Sequence, residues 1–389
     1  MSKFTLFLVM MCLFTLGAKA QDTTPAPVLI GDLYYTLDDT NLTAETAAMP
    51  MNGDTQPRYD LTTVEVPATV DYNGNTYNVV AIGHSTFQAS PNLMQVTLPT
   101  SIAAIADSAF RDSPKLIAVT NMVNASVIDD YAFFNCPKLA FIQLSSDLTQ
   151  ISGHCFQQDS SLTAVTIPEG VTSIQVCAFQ SCVNLKSVTI PSTVNEIVQW
   201  SFDATAVQSI TVPEGVTSIA AWTFSNNQAL TTLKLPASLT RLENWACDKD
   251  AGLTSIYIAW PTPPENDESA GIGMWGFGDQ VDRNTCIVYV PSQYIDAYDA
   301  TWFYFTVQPY DQTGIANVTS ETARAHYADG TLNLFNLDGY SVSVFSVEGQ
   351  LVTTFNANGT GVQLPLVSGV YILKATNGQT KKVIKFVAK

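Results

Sequence analysis

The stretch IPEGVTSIQVCAFQSCVNLKSVTIP, residues 167–191, contains one complete unit of the pattern that decides the fold. It ends on SVTIP (187–191), which repeats AVTIP of residues 164–168 after 23 positions. A β-branched run followed by Pro predicts a short strand that ends at a turn, because Pro cannot donate a ladder hydrogen bond. The chain is therefore expected to return to an equivalent strand every 23 residues.

The same unit recurs on both sides of this stretch, with intervals of 23 residues and one interval of 22. Seven units carry a Phe at the same position and the eighth carries a Cys: Phe87, Phe110, Phe133, Phe156, Phe179, Phe202, Phe224 and Cys247. An aliphatic residue lies five positions before each: Ile82, Ile105, Ile128, Ile151, Ile174, Ile197, Ile219 and Leu242. Another follows after six positions, or five in the sixth unit: Leu93, Leu116, Leu139, Leu162, Leu185, Val207, Leu230 and Leu253. Eight tandem copies at a fixed period predict a solenoid.

A single unit cannot fold alone. Burial of a large apolar side chain contributes roughly 1.5–3 kcal/mol, whereas ordering the backbone costs about 1–2 kcal/mol per residue. With only a few such side chains in each unit, stability requires that neighbouring coils share one continuous core. Strands from successive coils then form a parallel sheet.

The pattern L-x-x-V-x-I-P and the segment IPEGVTSI…AF..C..L resemble the BspA-like leucine-rich repeats of bacterial surface proteins, over residues 79–259. The resemblance implies a mainly β fold: a leucine-rich-repeat solenoid of about eight 23-residue repeats. Residues 21–78 resemble an N-terminal β cap, in which Asn73-Gly74 predicts a hairpin turn. Residues 260–310 lose the period and resemble the C-terminal cap, with a strand, Val-Pro and a short helix.

A polar linker at residues 311–322 leads to a basic tail, residues 323–389, whose alternation predicts a small antiparallel β-sandwich of about seven strands. The segments VEGQLV (347–352), GVYIL (369–373) and KKVIKFV (381–387) resemble the C-terminal sorting domain of type IX secretion cargo. The resemblance implies a type IX secretion machinery as partner. The YPNP-like start common in that family is replaced by AHYADGT, and a generic immunoglobulin-like domain is the alternative.

The N-terminus, residues 1–20, combines an early Lys, an apolar run and an A-x-A-like cleavage site, which predicts a secretory signal peptide. No other segment is apolar for about 20 residues, so no stable membrane span is expected. The net charge of −17 argues against nucleic acid as a partner. Together these features predict a protein that is secreted or lies at the outer-membrane surface of a Gram-negative bacterium.

Six cysteines follow the signal peptide: Cys136, Cys155, Cys177, Cys182, Cys247 and Cys286. An even number in an exported chain permits disulfides. Their places in the repeat are core positions, however, which favours buried free thiols.

No combination of residues indicates catalysis, a metal site or a cofactor. GIGMWG (271–276) fits a dinucleotide-binding pattern but lacks the flanking strand and helix. DKDAG (248–252) resembles the start of a calcium loop, but Ala259 stands where a bidentate Glu is needed. His154 and Cys155 are adjacent, so their side chains are expected to point to opposite faces.

Two surfaces are candidate binding sites. The residue two positions before each repeat Phe varies in size, which indicates a surface position since a core position fixes volume. We refer to these residues as the turn column: Ser85, Ser108, Tyr131, His154, Cys177, Trp200, Trp222 and Trp245. Trp200, Trp222 and Trp245, with Tyr131 and His154 further along, are expected to stack outside the core. They would then recognise a protein or glycan through flat apolar faces. The alternatives are a self-stacked cover of the coil edge and the docking site of a cap.

The second surface is the outward side of the repeat strands. It carries a column of Thr with small neighbours, which fits β propensity on a solvated sheet or a flat binding surface. Phe141 and Tyr257 are large aromatic residues at its exposed positions and are candidate contacts.

These features predict an adhesin-like binding protein that recognises host proteins, other cells or glycans through its solenoid surface. A non-binding structural spacer of the cell surface or biofilm is the alternative. The sequence gives no support for an enzyme.

Overall fold

The computed structural model describes residues 25–53, 55–261, 274–278, 280–298 and 304–310, and residues 324–388 with gaps at 329–330, 336, 338, 347–349, 358–360, 365, 367–368 and 378–380. The chain divides into two compact units between Tyr310 and Asp311. The predicted signal peptide (1–20) and linker (311–322) lie outside the described residues.

The N-terminal segment contains six strands: β1 (Val28–Ile30), β2 (Leu33–Asp38), β3 (Thr43–Ala47), β4 (Thr63–Glu65), β5 (Thr69–Tyr72) and β6 (Asn75–Ile82). All except β4 lie in one sheet, and β4 pairs instead with the first front strand of the repeats. The predicted hairpin at Asn73-Gly74 is confirmed, because both residues have positive φ and Tyr72 pairs with Asn75. β3 also pairs in parallel with β6, so the antiparallel segment β1–β3 continues directly into the repeats.

Most repeats contribute two very short strands. They are β7 (Gln95–Thr97), β8 (Ala104–Ile105), β9 (Ala118–Thr120), β10 (Val127–Ile128), β11 (Gln150–Ile151), β12 (Ala164–Thr166), β13 (Ser173–Ile174), β14 (Ser187–Thr189), β15 (Glu196–Ile197), β16 (Ser209–Thr211), β17 (Ser218–Ile219), β18 (Thr232–Lys234), β19 (Arg241–Leu242) and β20 (Ser255–Tyr257). The three-residue strands pair in parallel, in segments, as the front sheet, which begins at β4. The two-residue strands pair in parallel as a second sheet, which continues from β6 and is interrupted once, between β10 and β11. The predicted solenoid is confirmed.

The front sheet is interrupted at two places. The third repeat was expected to form a strand at 142–144, and this prediction is wrong. Asn121, with a φ of 66°, replaces the aliphatic residue that ends the neighbouring strands, so the chain bends away there. The second interruption lies between β14 and β16, where the repeat has lost one residue.

The turn around each repeat Phe has a backbone geometry of its own. Two residues per repeat, two positions before and two after the Phe, have φ between 53° and 68°, and none of them is Gly. Between these residues, the Phe N–H donates to a carbonyl of the next coil, as from Phe87 to Ala109 and from Phe156 to Ala178. The same direction holds in every repeat, including the bond from Cys247 to Gly276.

The core is a stack of rings. The seven repeat Phe side chains are fully buried, and successive ring centroids lie 5.2–5.9 Å apart with interplanar angles of 7–21°. Tyr59 contacts the first ring at 5.5 Å. At the other end, Gly276 accepts the N–H of Cys247, which places Phe277 in the next repeat position. The described end of GIGMWG (274–276) therefore belongs to a ninth turn, within the 3-10 helix Met274–Phe277.

A polar column runs inside the core, three positions after each repeat Phe. Its side chains are buried: Ser90, Ser113, Cys136, Asp159, Cys182, Thr205, Asn227 and Asp250. Ser113, Cys136, Cys182 and Asn227 donate to the carbonyl of the Phe one coil earlier. Asp159 and Asp250 instead accept the backbone N–H of Cys136 and Asn227.

The residues after the repeats extend the front sheet. β21 (Ile287–Pro291) pairs in parallel with β20, a 3-10 helix follows at Ser292–Ala297, and β22 (Thr306–Tyr310) pairs with β21. The expected strand, Val-Pro and short helix are confirmed, and β22 lies at the edge of the sheet.

The second unit contains seven antiparallel strands in two sheets: β23 (Arg324–Ala328), β24 (Thr331–Phe335), β25 (Ser341–Ser346), β26 (Leu351–Asn356), β27 (Gly361–Gln363), β28 (Gly369–Thr376) and β29 (Lys381–Ala388). Side chains from both sheets, including Leu332, Leu334, Val344 and Leu373, form one hydrophobic cluster. The unit thus has a core of its own.

Buried free thiols are confirmed. All six cysteines are buried, and none forms a disulfide. Cys136, Cys155, Cys182 and Cys247 fill repeat positions inside the solenoid core.

Candidate functional site

The aromatic members of the turn column stack coil upon coil. The rings of Trp200, Trp222 and Trp245 lie 5.5 Å apart at each step, with interplanar angles of 14° and 10°. Tyr131 and His154 form a separate stack at 4.4 Å and 5°. All five side chains lie outside the hydrophobic core and are half-buried, except Trp245, which is 42% exposed.

Trp222 is the middle ring of its stack, so each of its two faces has a Trp neighbour, Trp200 on one side and Trp245 on the other. Coil spacing causes this, because equivalent positions of adjacent coils are one strand spacing apart, about 4.8 Å. The three Trp rings therefore stack on one another, as in the self-stacked alternative.

The backbone of the turn column does not favour aromatic side chains. Every member has φ between 53° and 62°, a region in which bulky residues are uncommon and Asn, Asp and Gly are preferred. Three successive Trp at this conformation are therefore not explained by local propensity. Strain of this kind is often kept at functional positions.

A row of polar groups lies beside the turn column, three residues further along each turn. His154 Nδ1 donates to Gln157 Oε1 at 2.7 Å, and Gln157 Nε2 donates to Gln180 Oε1 at 2.5 Å. Gln180 Nε2 then donates to Asp203 Oδ2 at 2.9 Å. We refer to Gln157, Gln180 and Asp203 as the amide row. Its hydrogen bonds hold three polar side chains in fixed positions next to the aromatic stacks.

Cys177 interrupts the turn column between the two stacks. Its side chain carries no ring and is 5% exposed. His154 is covered by Tyr131 on one face, and Trp200 is covered by Trp222 on one face. The other faces of these two rings have no aromatic neighbour among the described residues.

The front sheet contains the remaining predicted contacts. Phe141 is 64% exposed and lies alone, in the repeat without a strand. Tyr257 belongs to a cluster that the sequence did not reveal: it stacks on Tyr289 at 4.7 Å, meets Tyr310 edge-on at 5.3 Å, and lies 5.5 Å below Lys234 Nζ. Tyr289 and Tyr310 belong to the terminal cap. The 23-residue period does not extend into the cap, so it does not predict which residues pair there.

The sequence analysis also missed a ninth turn. WGF (275–277) matches WSF (200–202) and WTF (222–224), which aligns Phe277 with the repeat Phe. The similarity of these tripeptides is the signal that could have revealed the ninth turn. The interval from Cys247 to Phe277 is 30 residues instead of 23, so the period alone does not predict it.

The described residues contain no group of three or more His, Cys, Asp or Glu side chains that could hold a metal ion. Within the same residues, no helix has both the length and the hydropathy to cross a bilayer. His154 is half-buried at the surface while Cys155 lies in the core, so the two do not form a catalytic pair.

The two-sheet coils and their ring stack define a leucine-rich-repeat solenoid. The family profile described as "BspA type Leucine rich repeat region" matches residues 73–182 and 149–261, in six copies. The repeat segment of the chain therefore belongs to the BspA type of leucine-rich repeat.

Comparison with solved structures finds similar chains. A leucine rich cell surface protein from Faecalibacterium prausnitzii is 22% identical, with a TM-score of 0.50, and the match covers 73% of this chain and 95% of the other. The pneumococcal vaccine antigen PcpA is 14% identical, with a TM-score of 0.35 and coverages of 74% and 97%. The leucine rich repeat protein of T. pallidum is 18% identical, with a TM-score of 0.35 and coverages of 59% and 81%. Comparison with curated proteins gives no match.

Proposed function

We propose that this protein is an adhesin-like binding protein that recognises an extracellular protein, another cell or a glycan through its solenoid surface. The main support for this proposal is the turn column. Its aromatic side chains form partly exposed stacks, although their backbone conformation disfavours aromatic residues. Trp is also the residue type most enriched where interfaces gain their binding energy. No catalytic activity forms part of the proposal.

The proposed location is the exterior of a Gram-negative cell. The signal peptide predicted at residues 1–20 supports export. The tail that resembles a type IX sorting domain, residues 323–389, supports passage across the outer membrane. The F. prausnitzii protein of similar fold is described as a cell surface protein, which agrees with this location.

A structural spacer is the competing function, and one observation favours it. The Trp rings cover one another, so part of their apolar area is already used inside the molecule. A spacer needs the solenoid only for its length and rigidity.

Binding by the full chain distinguishes the two functions. Immobilised protein is probed with fibronectin, fibrinogen and laminin, and on a glycan array. We expect retention of at least one probe, and a marked loss of it in the triple variant Trp200→Ala, Trp222→Ala, Trp245→Ala. Val183→Ala, at an exposed aliphatic position outside the turn column, is the matched control and keeps wild-type binding.

Thermal unfolding of the triple variant is measured alongside. A nearly unchanged melting temperature is expected, because the three side chains lie outside the core. Reproducible failure of the wild-type chain to retain any probe would support the spacer.

A further inference from the structure

Four side chains are in mutual contact at the C-terminal end of the front sheet, and the terminal cap supplies two of them. The rings of Tyr257 and Tyr289 stack at 4.7 Å, and Tyr310 meets Tyr257 edge-on at 5.3 Å. Lys234 Nζ lies 5.5 Å from the centroid of the Tyr257 ring. Parallel pairing places Lys234, Tyr257 and Tyr289 side by side on successive strands. We refer to the four residues as the Tyr257 cluster.

The Tyr257 cluster lies on the outward side of the sheet. Its four side chains are half-buried, whereas the residues next to them in the strands, Leu233, Ile256 and Val288, point into the core. Within the described part of the chain, neither the three Tyr hydroxyl groups nor Lys234 Nζ has a hydrogen-bond or ion-pair partner. The cluster therefore offers three hydroxyl groups and one ammonium group to a ligand.

The sheet around the cluster carries no negative charge. The other outward positions of β16, β18, β20, β21 and β22 hold only Ser, Thr, Gln and Ile. Lys234 is thus the one charged residue among the outward positions of these five strands, in a chain of net charge −17. This end of the front sheet presents a positive charge although the chain as a whole is acidic.

We propose that the Tyr257 cluster binds an acidic glycan, with the anionic group of the sugar at Lys234 and the sugar hydroxyls at the three Tyr hydroxyls. The proposal deepens the proposed function and rests on it. A hydrogen bond between an ammonium group and an anion is roughly twice as strong as one between neutral groups. Tyr hydroxyls both donate and accept, which suits sugar hydroxyls that do the same.

Two other ligand classes fit less well. A neutral glycan would leave Lys234 without an anionic partner, so no charge-assisted bond would form. The core of a protein interface is apolar, but the outward positions of the neighbouring strands β12, β14 and β16 hold only Ala, Ser and Thr. Addition of a partner strand at the edge strand β22 is also unfavourable, because Pro309 cannot donate a ladder hydrogen bond.

Matched sugars test the need for an anionic group. The full chain is screened on a glycan array and titrated calorimetrically with hyaluronan octasaccharide and sialyllactose. Each titration is repeated with the same sugar after reduction of its carboxyl groups to alcohols. We expect at least one acidic sugar to bind, and its reduced form to bind at least about tenfold more weakly.

A charge variant locates the anionic group. Lys234→Gln removes the ammonium group and keeps a polar side chain, and we expect it to weaken binding of the acidic sugar by about tenfold. Lys249→Gln, at an exposed position in a turn, changes the net charge equally and is the matched control. It is expected to keep wild-type affinity.

Hydroxyl variants locate the sugar ring. The double variant Tyr257→Phe, Tyr289→Phe removes two hydroxyl groups and keeps both rings of the stack, so its thermal unfolding should match that of the wild type. We expect it to weaken binding of the acidic sugar by about tenfold. Tyr304→Phe, at a side chain that is 75% exposed and outside the cluster, is the matched control and keeps wild-type affinity.

The outcomes separate this inference from the proposed function. Equal affinity for an acidic sugar and its reduced form would overturn the inference, as would wild-type affinity in Lys234→Gln or in the double Tyr variant. Binding of neutral glycans, fibronectin, fibrinogen or laminin without binding of any acidic glycan would overturn it and leave the proposed function standing. Failure of every probe to bind would overturn both.

Discussion

Asn227 and Asp250 occupy the same core position in successive repeats, but they differ in their hydrogen-bond partners. Asn227 both accepts, from Thr205, and donates, to the carbonyl of Phe202. Asp250 Oδ1 accepts one N–H, but Oδ2 is buried without a partner. A proton on Oδ2 would let Asp250 donate toward the Phe carbonyl of the preceding coil, as its equivalents do. Asp159 presents the same arrangement.

The buried carboxyl groups make stability depend on pH. Burial raises the pKa of Asp250 to about 8, and also raises the pKa of Asp159 well above its usual value. A group whose pKa is higher in the folded state stabilises the fold fully below its unfolded pKa, and this contribution is lost as pH rises toward the folded pKa. Urea denaturation is therefore expected to show decreasing stability between about pH 4 and pH 8, by up to about 1.4 kcal/mol per pH unit for Asp250.

Asp250→Asn isolates this contribution. The amide reproduces the groups of Asn227, so the variant is expected to be more stable than the wild type near pH 8 and to have a flatter pH dependence. Asp296→Asn, at a surface position of the terminal cap, serves as the control. An unchanged slope in Asp250→Asn would show that Asp250 is not protonated in the folded state.

The thiols are expected to be unreactive in the native protein. Burial raises the pKa of Cys177 to about 11 and that of Cys286 to about 12, and it raises the pKa of the four core thiols well above the usual value. Because the thiolate is the reactive form, a colorimetric thiol reagent should label none of the six before unfolding and all six in denaturant. Rapid labelling of the native chain would contradict the burial described.

At the scale of single residues, the sequence predicted which side chains point into the core, but not which outward rings contact one another. The 23-residue period placed Phe224 inside and Trp222 outside, because a repeated position fixes a direction relative to the core. It did not show that Trp222 is covered by its neighbours, since this depends on the small angle between rings of adjacent coils. Nor did it reveal the positive φ of the turn column, because no Gly marks it.

Among the elements, the ring stack holds the coils together. Phe156 is fully buried between the rings of Phe133 and Phe179, at 5.5 and 5.4 Å. Phe156→Ala is therefore expected to lower the free energy of unfolding by about 3–5 kcal/mol in chemical denaturation. Phe141→Ala, at an exposed position, should change it by less than about 0.5 kcal/mol. Equal effects of the two substitutions would contradict the stack as the main stabilising element.

The interruption of the front sheet between β14 and β16 is expected to be a site of local opening. Val188 and Ile190 are only half-buried, whereas their equivalents one coil earlier, Val165 and Ile167, are buried. Hydrogen exchange followed by mass spectrometry should show faster exchange in residues 187–191 than in residues 164–168. Uniform protection of the two segments would show that the missing residue is absorbed without loss of stability.

Most elements followed from periodicity, and the exceptions have local causes. The sequence predicted a front-sheet strand in all eight repeats, and seven of them form it; the one expected at 142–144 is absent, next to Asn121 of the preceding coil, which replaces an aliphatic residue. The Tyr257 cluster could not be predicted, because Tyr289 and Tyr310 pair with the sheet through a cap that has no repeat.

For the whole molecule, the tail and the solenoid are expected to have separable roles. Deletion of residues 323–389 should leave the thermal unfolding of the solenoid unchanged, because the two units have separate cores. In a Gram-negative host with type IX secretion, the deletion should abolish surface display, measured by antibody labelling of intact cells. Wild-type surface levels of the truncated chain would disprove the sorting role.

The hydrogen bonds of the turns also give the solenoid an electrical direction. In every repeat the N–H of the Phe, or of Cys247, points to the coil that follows, and the last of these bonds ends on Gly276. Peptide dipoles aligned in this way add along the axis, as they do in a helix, whereas those of neighbouring β-strand residues largely cancel. The C-terminal end of the turns is therefore the positive pole and the N-terminal end the negative one. When two such solenoids meet end to end, the opposite poles of their turns face each other only if the C-terminal end of one meets the N-terminal end of the other.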